Sequence, residues 1–403
     1  MTLPIDRGRG AVDHPGSQDL IQDIIDGENQ LYTDQQTTAK AVQIANGSFE
    51  ASAGSFVAAT DNGGWTWTPS GLGTCAVTTN ASNVRDGLNA VAITSGGTNT
   101  NGGTLESTSF IPLTENIDLW VNWFLKCSVA GVAVSVAVEC YDYTQSIIGS
   151  ALNLYKSVLN PTTGFAWYDS WITTPTGTRF MKFLITVGAA SSASGTVYLD
   201  GMALGMKKRN TLISQNYLQY NIFTPTLTGV QALTPGTDGM FAKFTPVTTA
   251  VGSGINSLVG VRGDQNPFLF GRVKMGGADV ACNKFFGFSN RLFTPADSPV
   301  ANVMGIRNPG AGVFELNMDN AGGAYTTVNT TSTISDSNVV HRMGVWYDNV
   351  AGKAIVKIDN TDPVEATSRL PGATVAMGPQ LYRIGAAVAY NDVQMQTMTL
   401  GMD

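Results

Sequence analysis

Charged side chains are scarce in this sequence. They make up 13% of its 403 residues, about half of the roughly 25% that is usual in soluble proteins. The 23 lysines and arginines are outnumbered by 30 acidic residues, and the net charge is −7. The longest basic run is Lys207-Lys208-Arg209. Because nucleic-acid binding needs a basic surface, we expect no nucleic-acid partner.

Long apolar runs and cysteine pairs are also missing. No stretch is apolar enough to cross a bilayer, so we expect no membrane insertion. The first residues, MTLPIDRGRG, lack the apolar core of a signal peptide, so we expect a protein made in the cytoplasm. No C-x-x-C pair suggests a zinc site. Burial as free thiols is expected for Cys75, Cys127, Cys140 and Cys282.

Catalytic signatures are absent as well. The sequence has two histidines, His14 and His341, and neither lies in a Ser-His-Asp or Cys-His pattern. A glycosidase needs two carboxylates at a set separation, and no motif selects such a pair among the acidic residues. We therefore expect no catalytic residues and a protein that is not an enzyme.

What the sequence does contain is strand-like alternation separated by glycine-rich turns. In the stretch GVAVSVAVECYDY, apolar residues alternate with small or polar ones from Val132 to Cys140. Similar runs occupy 119–127, 179–187 and 196–205. This pattern predicts a mainly β protein with two tandem antiparallel β-sandwich (jelly-roll) domains, at 41–208 and 209–403.

Residues 1–40 differ from the rest and predict a short helical N-terminal arm. Within SQDLIQDIIDGENQLY, helical spacing places four apolar side chains on one face: Leu20, Ile21, Ile24 and Ile25. One interpretation is a helix packed on the following domain. The other is an anchor that docks on another subunit.

Residues 44–205 carry several short motifs in a fixed order. They are Asn46-Gly47-Ser48-Phe49-Glu50, then Trp65 and Trp67, then LNAV at 88–91, and finally VYLDGMAL at 197–204. In these motifs the segment resembles the carbohydrate-binding modules of the CBM4/9 type, which are jelly rolls. The resemblance implies that NGSFE is the first strand, with Phe49 in the core.

The same resemblance implies a structural calcium site near the first and last strands. Glu50 and Asp200 are the candidate ligands, and no other cofactor is expected. Calcium prefers six to eight oxygen ligands, and the family's second aspartate is Gly201 in this chain.

Sugar sites in such modules use exposed aromatic platforms together with polar side chains. The candidates for glycan binding are Trp65, Trp67, Tyr141, Tyr143, Trp167 and Trp171. The alternative is that these aromatics are core or interface residues, since large rings usually bury their area.

The C-terminal half resembles the concanavalin-A/laminin-G type of sandwich found in phage structural proteins. The resemblance rests on FFGFSN at 285–290, HRMGVWYD at 341–348 and KAIVKIDN at 353–360.

Together these features resemble a bacteriophage virion protein, meaning a tail or head fibre or a decoration protein. The resemblance implies an arm docked on the capsid, portal, collar or tail, a homotrimer, and sandwiches that bind host surface polysaccharide. Two alternatives stay open: a free lectin-like module and a polysaccharide depolymerase.

Overall fold

The computed structural model describes most of the chain from residue 44 to 402. The described ranges are 44–96, 102–189, 192–205, 210–216, 223–226, 229–236, 239–246, 253–257, 260–275, 282–290, 302–309, 312–321, 326–333, 339–385 and 393–402. The predicted arm and its anchor residues Leu20, Ile21, Ile24 and Ile25 lie outside them. The prediction of a mainly β fold is confirmed, with antiparallel sheets that form sandwich-like domains. Across the described ranges, no helix is long and apolar enough to cross a membrane.

The strands between 65 and 204 form two antiparallel sheets. They are β1 (Trp65–Pro69), β2 (Thr74–Thr78), β3 (Ala90–Thr94), β4 (Gly103–Ser107), β5 (Ile111–Pro112), β6 (Asp118–Cys127), β7 (Val134–Tyr141), β8 (Leu152–Ser157), β9 (Ala166–Thr173), β10 (Phe180–Val187) and β11 (Thr196–Leu204). Sheet 1 has the order β1-β4-β10-β7-β8, with β5 beside β10. Sheet 2 has the order β2-β3-β11-β6-β9. We call this pair the first sandwich.

The strands from 210 onward form two further antiparallel sheets, which we call the second sandwich. They are β12 (Asn210–Asn216), β13 (Phe223–Thr226), β14 (Gly229–Gly236), β15 (Gly239–Pro246), β16 (Ser253–Ser257), β17 (Val261–Arg262), β18 (Phe268–Lys274), β19 (Cys282–Ser289), β20 (Asn302–Asn308), β21 (Val313–Asn320), β22 (Thr326–Thr333), β23 (His341–Asp348), β24 (Lys353–Ile358), β25 (Val364–Ala366), β26 (Ala376–Gly385) and β27 (Val393–Met402). One sheet runs β14-β15-β27-β18-β23-β24-β25 with β12 beside β27. The other runs β13-β16-β26-β19-β20-β21-β22 with β17 beside β26.

Period-two alternation places one row of side chains from each strand in the core. In β10, Met181, Phe183 and Ile185 are fully buried, whereas Lys182 and Thr186 face outward. The predicted runs at 119–127, 179–187 and 196–205 form β6, β10 and β11. Their strand assignments are therefore confirmed.

The NGSFE segment is a turn rather than the predicted first strand. Asn46 and Phe49 both have positive φ angles, 53° and 60°, which strand residues do not adopt. Phe49 is nevertheless fully buried, and its ring centroid lies 5.4 Å from that of Trp65. The expectation that Phe49 fills the core is confirmed, although its backbone conformation was predicted wrongly.

Gly47 is required in this turn because the last strand passes very close to it. The Met202 N–H donates to the Gly47 carbonyl oxygen at 2.9 Å. A Cβ atom on residue 47 would lie 2.0 Å from the Met202 carbonyl oxygen. The turn therefore packs directly against β11 at the edge of the core.

Three of the four cysteines are buried thiols, as predicted. Burial raises the pKa of Cys127 to about 12 and that of Cys140 to about 11. Burial also raises the pKa of Cys75. Protonated and enclosed, these thiols behave as small apolar core residues. The side chain of Cys282 lies outside the described residues.

Candidate functional site

Two of the predicted glycan-binding aromatics belong to the core of the first sandwich. Trp65 is 0% exposed and Trp67 is 2% exposed. The Trp65 indole N–H donates to the Asn46 carbonyl oxygen at 3.1 Å. They alternate with outward-facing Thr66 in β1, so both rings point between the two sheets. Because neither ring offers a face to solvent, neither can serve as a sugar platform.

Trp171 and Tyr141 are also buried, for different reasons. Trp171 is fully buried against the second sandwich, where its ring stacks on Trp346 at a centroid distance of 5.5 Å. Tyr141 is 7% exposed and packs edge-on against Phe110 at 4.9 Å. For Trp65, Trp67 and Trp171, the alternative of core or interface residues describes what the structure shows, whereas Tyr141 lies on the outer face of sheet 1, where Phe110 covers its ring.

Trp167 and Tyr143 are the two candidates that reach the surface. Trp167 is half-buried on the outer face of sheet 2, edge-on to Phe124 at 4.2 Å. The Arg85 guanidinium covers the Phe124 ring at 5.2 Å. Tyr143 is 81% exposed on the turn after β7. The two rings thus lie on different sheets and form no shared platform.

The turn that carries Tyr143 is held rigidly. The Asp142 carboxylate accepts hydrogen bonds from the backbone N–H groups of Thr144, at 2.8 Å, and Ser146, at 3.0 Å. The Thr144 hydroxyl donates to the same carboxylate oxygen at 2.6 Å, and this bond, together with the two backbone bonds, lowers the pKa of Asp142. The Tyr143 side chain is therefore exposed to solvent on a turn whose backbone is fixed by hydrogen bonds.

The outer face of sheet 1 brings together a set of residues of which only Tyr141 was a predicted glycan-binding candidate. We call it the β10 face and define it by the outward side chains of β4, β7 and β10 with the neighbouring Phe110. Its members are Thr104, Glu106, Phe110, Ser135, Glu139, Tyr141, Phe180, Lys182, Leu184 and Thr186.

Charged groups occupy the centre of the β10 face. Lys182 Nζ lies 2.6 Å from Glu106 Oε1 and 4.8 Å from the centre of the Phe110 ring. The Tyr141 hydroxyl donates to Glu139 Oε2 at 2.6 Å. Burial is the main cause that raises the pKa of Tyr141, and the Glu139 carboxylate raises it further. The Tyr141 hydroxyl therefore keeps its proton. The two carboxylates and the ammonium are thus fixed in place.

Aromatic and hydroxyl side chains occupy opposite ends of the same face. At one end, the Phe110 and Phe180 ring centroids are 5.9 Å apart, and both rings are partly exposed. At the other end, the Thr186 and Thr104 hydroxyls are 3.0 Å apart, and Thr186 pairs across the strands with Ser135. The sequence signal that could have predicted this face is the spacing F-x-K-x-L-x-T in β10. This spacing places every second side chain, from Phe180 to Thr186, on the outer side of the sheet.

A groove opens where the hydroxyl end of the β10 face meets the second sandwich. Its volume is about 450 Å³, within the range of roughly 300–1,000 Å³ typical of ligand pockets. We call it the junction groove. Its polar lining includes Ser135, Lys156, Ser157, Thr186 and, from the second sandwich, Glu365.

Next to this groove, a buried lysine of the second sandwich forms hydrogen bonds with residues of the first. Lys353 from β24 is 0% exposed, and its Nζ donates to the Tyr155 hydroxyl at 2.8 Å and to Glu365 Oε2 at 2.9 Å. The Ser157 hydroxyl donates to Glu365 Oε1 at 2.5 Å. Burial alone lowers the pKa of Lys353, but the neighbouring Tyr155 and Glu365 raise it above its ordinary value. The lysine is therefore charged and paired.

Aromatic packing extends the same contact. Trp171 meets Phe270 at 4.9 Å and Trp346 at 5.5 Å. The Tyr168 hydroxyl donates to Asp348 Oδ2 at 2.5 Å. Phe268, Phe270, Trp346 and Ile355 from the second sandwich thus belong to the core cluster of the first. The apolar core is continuous across the junction.

Lys357 is a second buried lysine at the junction, with a different balance of forces. Its Nζ donates to the Asn153 carbonyl oxygen and lies 5.8 Å from the centre of the Trp171 ring. Burial lowers its pKa from 10.5 to about 7, and the nearby Asp362 offsets only part of this effect. The folded protein therefore favours the neutral amine.

Stability is expected to rise with pH between about 7 and 8. Above that window the rise is opposed, because the unfolded chain also releases protons from its cysteines near their ordinary value of 9.0, whereas burial keeps Cys75, Cys127 and Cys140 protonated in the fold. Between about pH 7 and 8 the unfolded chain binds one more proton at Lys357, which corresponds to about 1.4 kcal/mol per pH unit. Urea unfolding of wild type and Lys357→Met across this window measures the difference. The variant should lack the rise, whereas the exposed-lysine control Lys156→Met should keep it. Parallel curves for wild type and Lys357→Met would contradict the assignment.

The predicted calcium ligands bind backbone N–H groups instead. Asp200 Oδ2 accepts from the N–H groups of Arg85 and Asp86, and Oδ1 accepts from Gly201. Glu50 Oε1 accepts from the N–H groups of Leu88 and Asn89. Within the described part of the chain, no group of three candidate metal ligands occurs. Since N–H donors repel a cation, these residues do not fit a calcium site, and they instead hold the 85–89 loop.

His341 is the one histidine among the described residues, and it is not a member of the β10 face. Its Nδ1 lies 2.7 Å from Asp359 Oδ2. Its ring packs edge-on against Phe314 at 5.3 Å within the second sandwich. His341 is not among the residues that line the junction groove.

The sequence matches no protein-family model and none of the curated proteins. Solved structures that resemble it include the enzymatically active domain of tailspike protein 4 from bacteriophage CBA120, at 14% identity and a TM-score of 0.29. That match covers 35% of this chain and 19% of the tailspike chain.

Two further matches cover more of the partner chains. The tandem CBM22-1–CBM22-2 domain of Paenibacillus barcinonensis Xyn10C has 13% identity and a TM-score of 0.28, and the match covers 88% of this chain and 99% of that one. The conserved carbohydrate esterase of Shiga toxin-encoding bacteriophage phi24B has 15% identity and a TM-score of 0.36. That match covers 48% of this chain and 98% of the esterase. A tandem carbohydrate-binding module, a phage tailspike domain and a phage carbohydrate esterase are therefore among the structures that this chain resembles.

Proposed function

We propose that the protein binds polysaccharide on the β10 face. The observation that carries this proposal is the arrangement on one outer sheet face: fixed charged groups at the centre, rings at one end and hydroxyls at the other. The apolar ring faces of Phe110 and Phe180 suit the apolar side of a pyranose. The Glu106 and Glu139 carboxylates and the Lys182 ammonium suit its hydroxyls.

We infer that this binding is not coupled to catalysis. A glycosidase keeps one carboxyl group protonated and the other ionised. Here Glu106 forms an ion pair with Lys182, and Glu139 accepts a hydrogen bond from the Tyr141 hydroxyl. Each carboxylate is therefore already engaged by a side chain of the protein itself.

We propose further that the protein is a structural component of a phage particle, in a fibre or a decoration role. The low charge, the tandem sandwiches and the acidic arm with one apolar stripe support this proposal. The arm at 1–40 docks on other virion proteins, and several copies, as a homotrimer, project their sandwiches outward. Multivalency then compensates for weak single sites on host polysaccharide.

Replacing Lys182 with methionine is expected to weaken glycan binding about 10- to 100-fold, because a charge-assisted hydrogen bond contributes about 1.5–3 kcal/mol. Binding is measured on an array of neutral and acidic oligosaccharides. The matched control is Lys126→Met on the outer face of sheet 2, where Nζ also contacts an aromatic ring and bonds to Ser82. Equal losses in both variants, or none in either, would contradict the proposed face.

Deleting residues 1–40 is expected to abolish incorporation into particles while the sandwiches still bind glycan. Immunoblots of purified particles, made with full-length or truncated protein, measure incorporation. A truncated protein that still incorporates would contradict the anchor, and a full-length protein absent from particles would contradict the virion assignment.

A further inference from the structure

The junction groove continues the β10 face without a break. Ser135 and Thr186 are cross-strand partners on that face, and both line the groove. From Phe180 to Thr186, the face extends for about 20 Å at roughly 3.3 Å per residue. A chain of sugar residues lying along β10 from the aromatic end therefore arrives at the groove.

We propose that the junction groove is the terminal subsite of this face and takes one uncharged, hydroxyl-bearing sugar residue. The second sandwich completes the subsite through the wall formed at Glu365. This inference rests on the proposed function, because it extends the same site. It makes the second sandwich part of the binding surface rather than only a neighbour of it.

The size and lining of the groove suit one such residue. Its walls alternate small apolar groups, such as Val158 and Ala189, with the hydroxyls of Ser135 and Thr186. A sugar ring presents the same alternation of C–H surface and hydroxyl groups. Lys156 Nζ has three donors, of which Asp362 takes one at 2.9 Å, so the ammonium can also donate to a sugar hydroxyl.

The charges around the groove cancel, which favours an uncharged residue over a uronic acid. The two Glu365 oxygens already accept from Ser157 and Lys353. The Lys156 ammonium is paired with Asp362. Among the described residues that line the groove, a carboxylate on the ligand would therefore find no unpaired cation, and it would lie beside Glu365.

The test uses the full-length protein and neutral gluco-, manno-, galacto- and xylo-oligosaccharides of two to six residues, with titration calorimetry as the readout. Val158→Trp fills the groove at a position that is 46% exposed. Val129→Trp is the matched control, because Val129 is 42% exposed and does not line the groove. Val158→Trp should lose about tenfold in affinity for the hexasaccharide and nothing for the disaccharide. Val129→Trp should bind both like wild type.

The outcomes separate this inference from the proposed function. If Val158→Trp binds the hexasaccharide as tightly as wild type or more tightly, while Lys182→Met binds every length weakly, only the groove subsite is wrong. If no oligosaccharide binds to wild type, both proposals are wrong. An oligogalacturonate that binds wild type more tightly than neutral chains do, and loses that advantage in Lys156→Ala, would overturn the assignment of an uncharged residue.

Discussion

Replacing Lys353 with methionine is expected to destabilise the protein by about 3–5 kcal/mol, because it leaves a buried partner charge uncompensated. Lys353 is fully buried, and its Nζ holds both Tyr155 and Glu365. Methionine keeps most of the side-chain volume, so the loss reports the charge rather than a cavity. Urea unfolding followed by tryptophan fluorescence measures it.

Two further variants make this prediction sharp. Lys156→Met removes a lysine from the same junction, but its pair with Asp362 is exposed, so we expect a cost of at most about 1 kcal/mol. The double variant Lys353→Met/Glu365→Gln should recover part of the loss, because it also removes the orphaned carboxylate. If the single and double variants are equally unstable, or if Lys156→Met costs as much as Lys353→Met, Lys353 does not act through its charge.

Replacing Trp171 with alanine is expected to cost about 3–5 kcal/mol, the range for truncating a buried large aromatic. Trp171 is fully buried and contacts both Trp346 and Phe270 across the junction. Because its ring is shared, the loss should fall on both sandwiches. Hydrogen exchange, read separately for the strands of each sandwich, should show lower protection in both.

Trp167→Ala is the matched control for that variant. Trp167 lies four residues earlier in the same strand and on the same outer face of sheet 2, but it is half-buried, whereas Trp171 is fully buried. We expect less than half the loss of Trp171→Ala, with no change in the second sandwich. A loss of protection confined to the first sandwich in Trp171→Ala would show that the junction does not couple the two.

The strands were predictable because alternation is a local property of the chain. Val134, Val136 and Val138 point inward in β7, as their spacing requires. The NGSFE turn was not predictable as a turn, because a left-handed conformation at a bulky Phe49 depends on the core that receives its ring. The resemblance identified the right residues but assigned the wrong local structure.

The candidate site was less predictable than the fold. Aromatic residue type suggested Trp65 and Trp171, yet burial decides whether a ring is available, and burial depends on distant partners. Trp171 and Trp346 are 175 positions apart, and nothing local to either residue indicates their stacking. In contrast, the outward register of Lys182 in β10 followed from the same alternation that predicted the strand.

The shared junction also has a consequence for how such a protein can be inherited. Many modular proteins exchange domains by recombination at linkers, because each domain keeps its own core. Here Trp171 of the first sandwich completes the packing of Trp346 in the second, and Tyr155 and Ser157 complete the hydrogen bonding of Lys353. A gene that acquired only one half would encode an exposed tryptophan, and the Lys353–Glu365 pair would lose its hydrogen-bond partners from the first sandwich. We therefore expect the two sandwiches to be inherited as one unit.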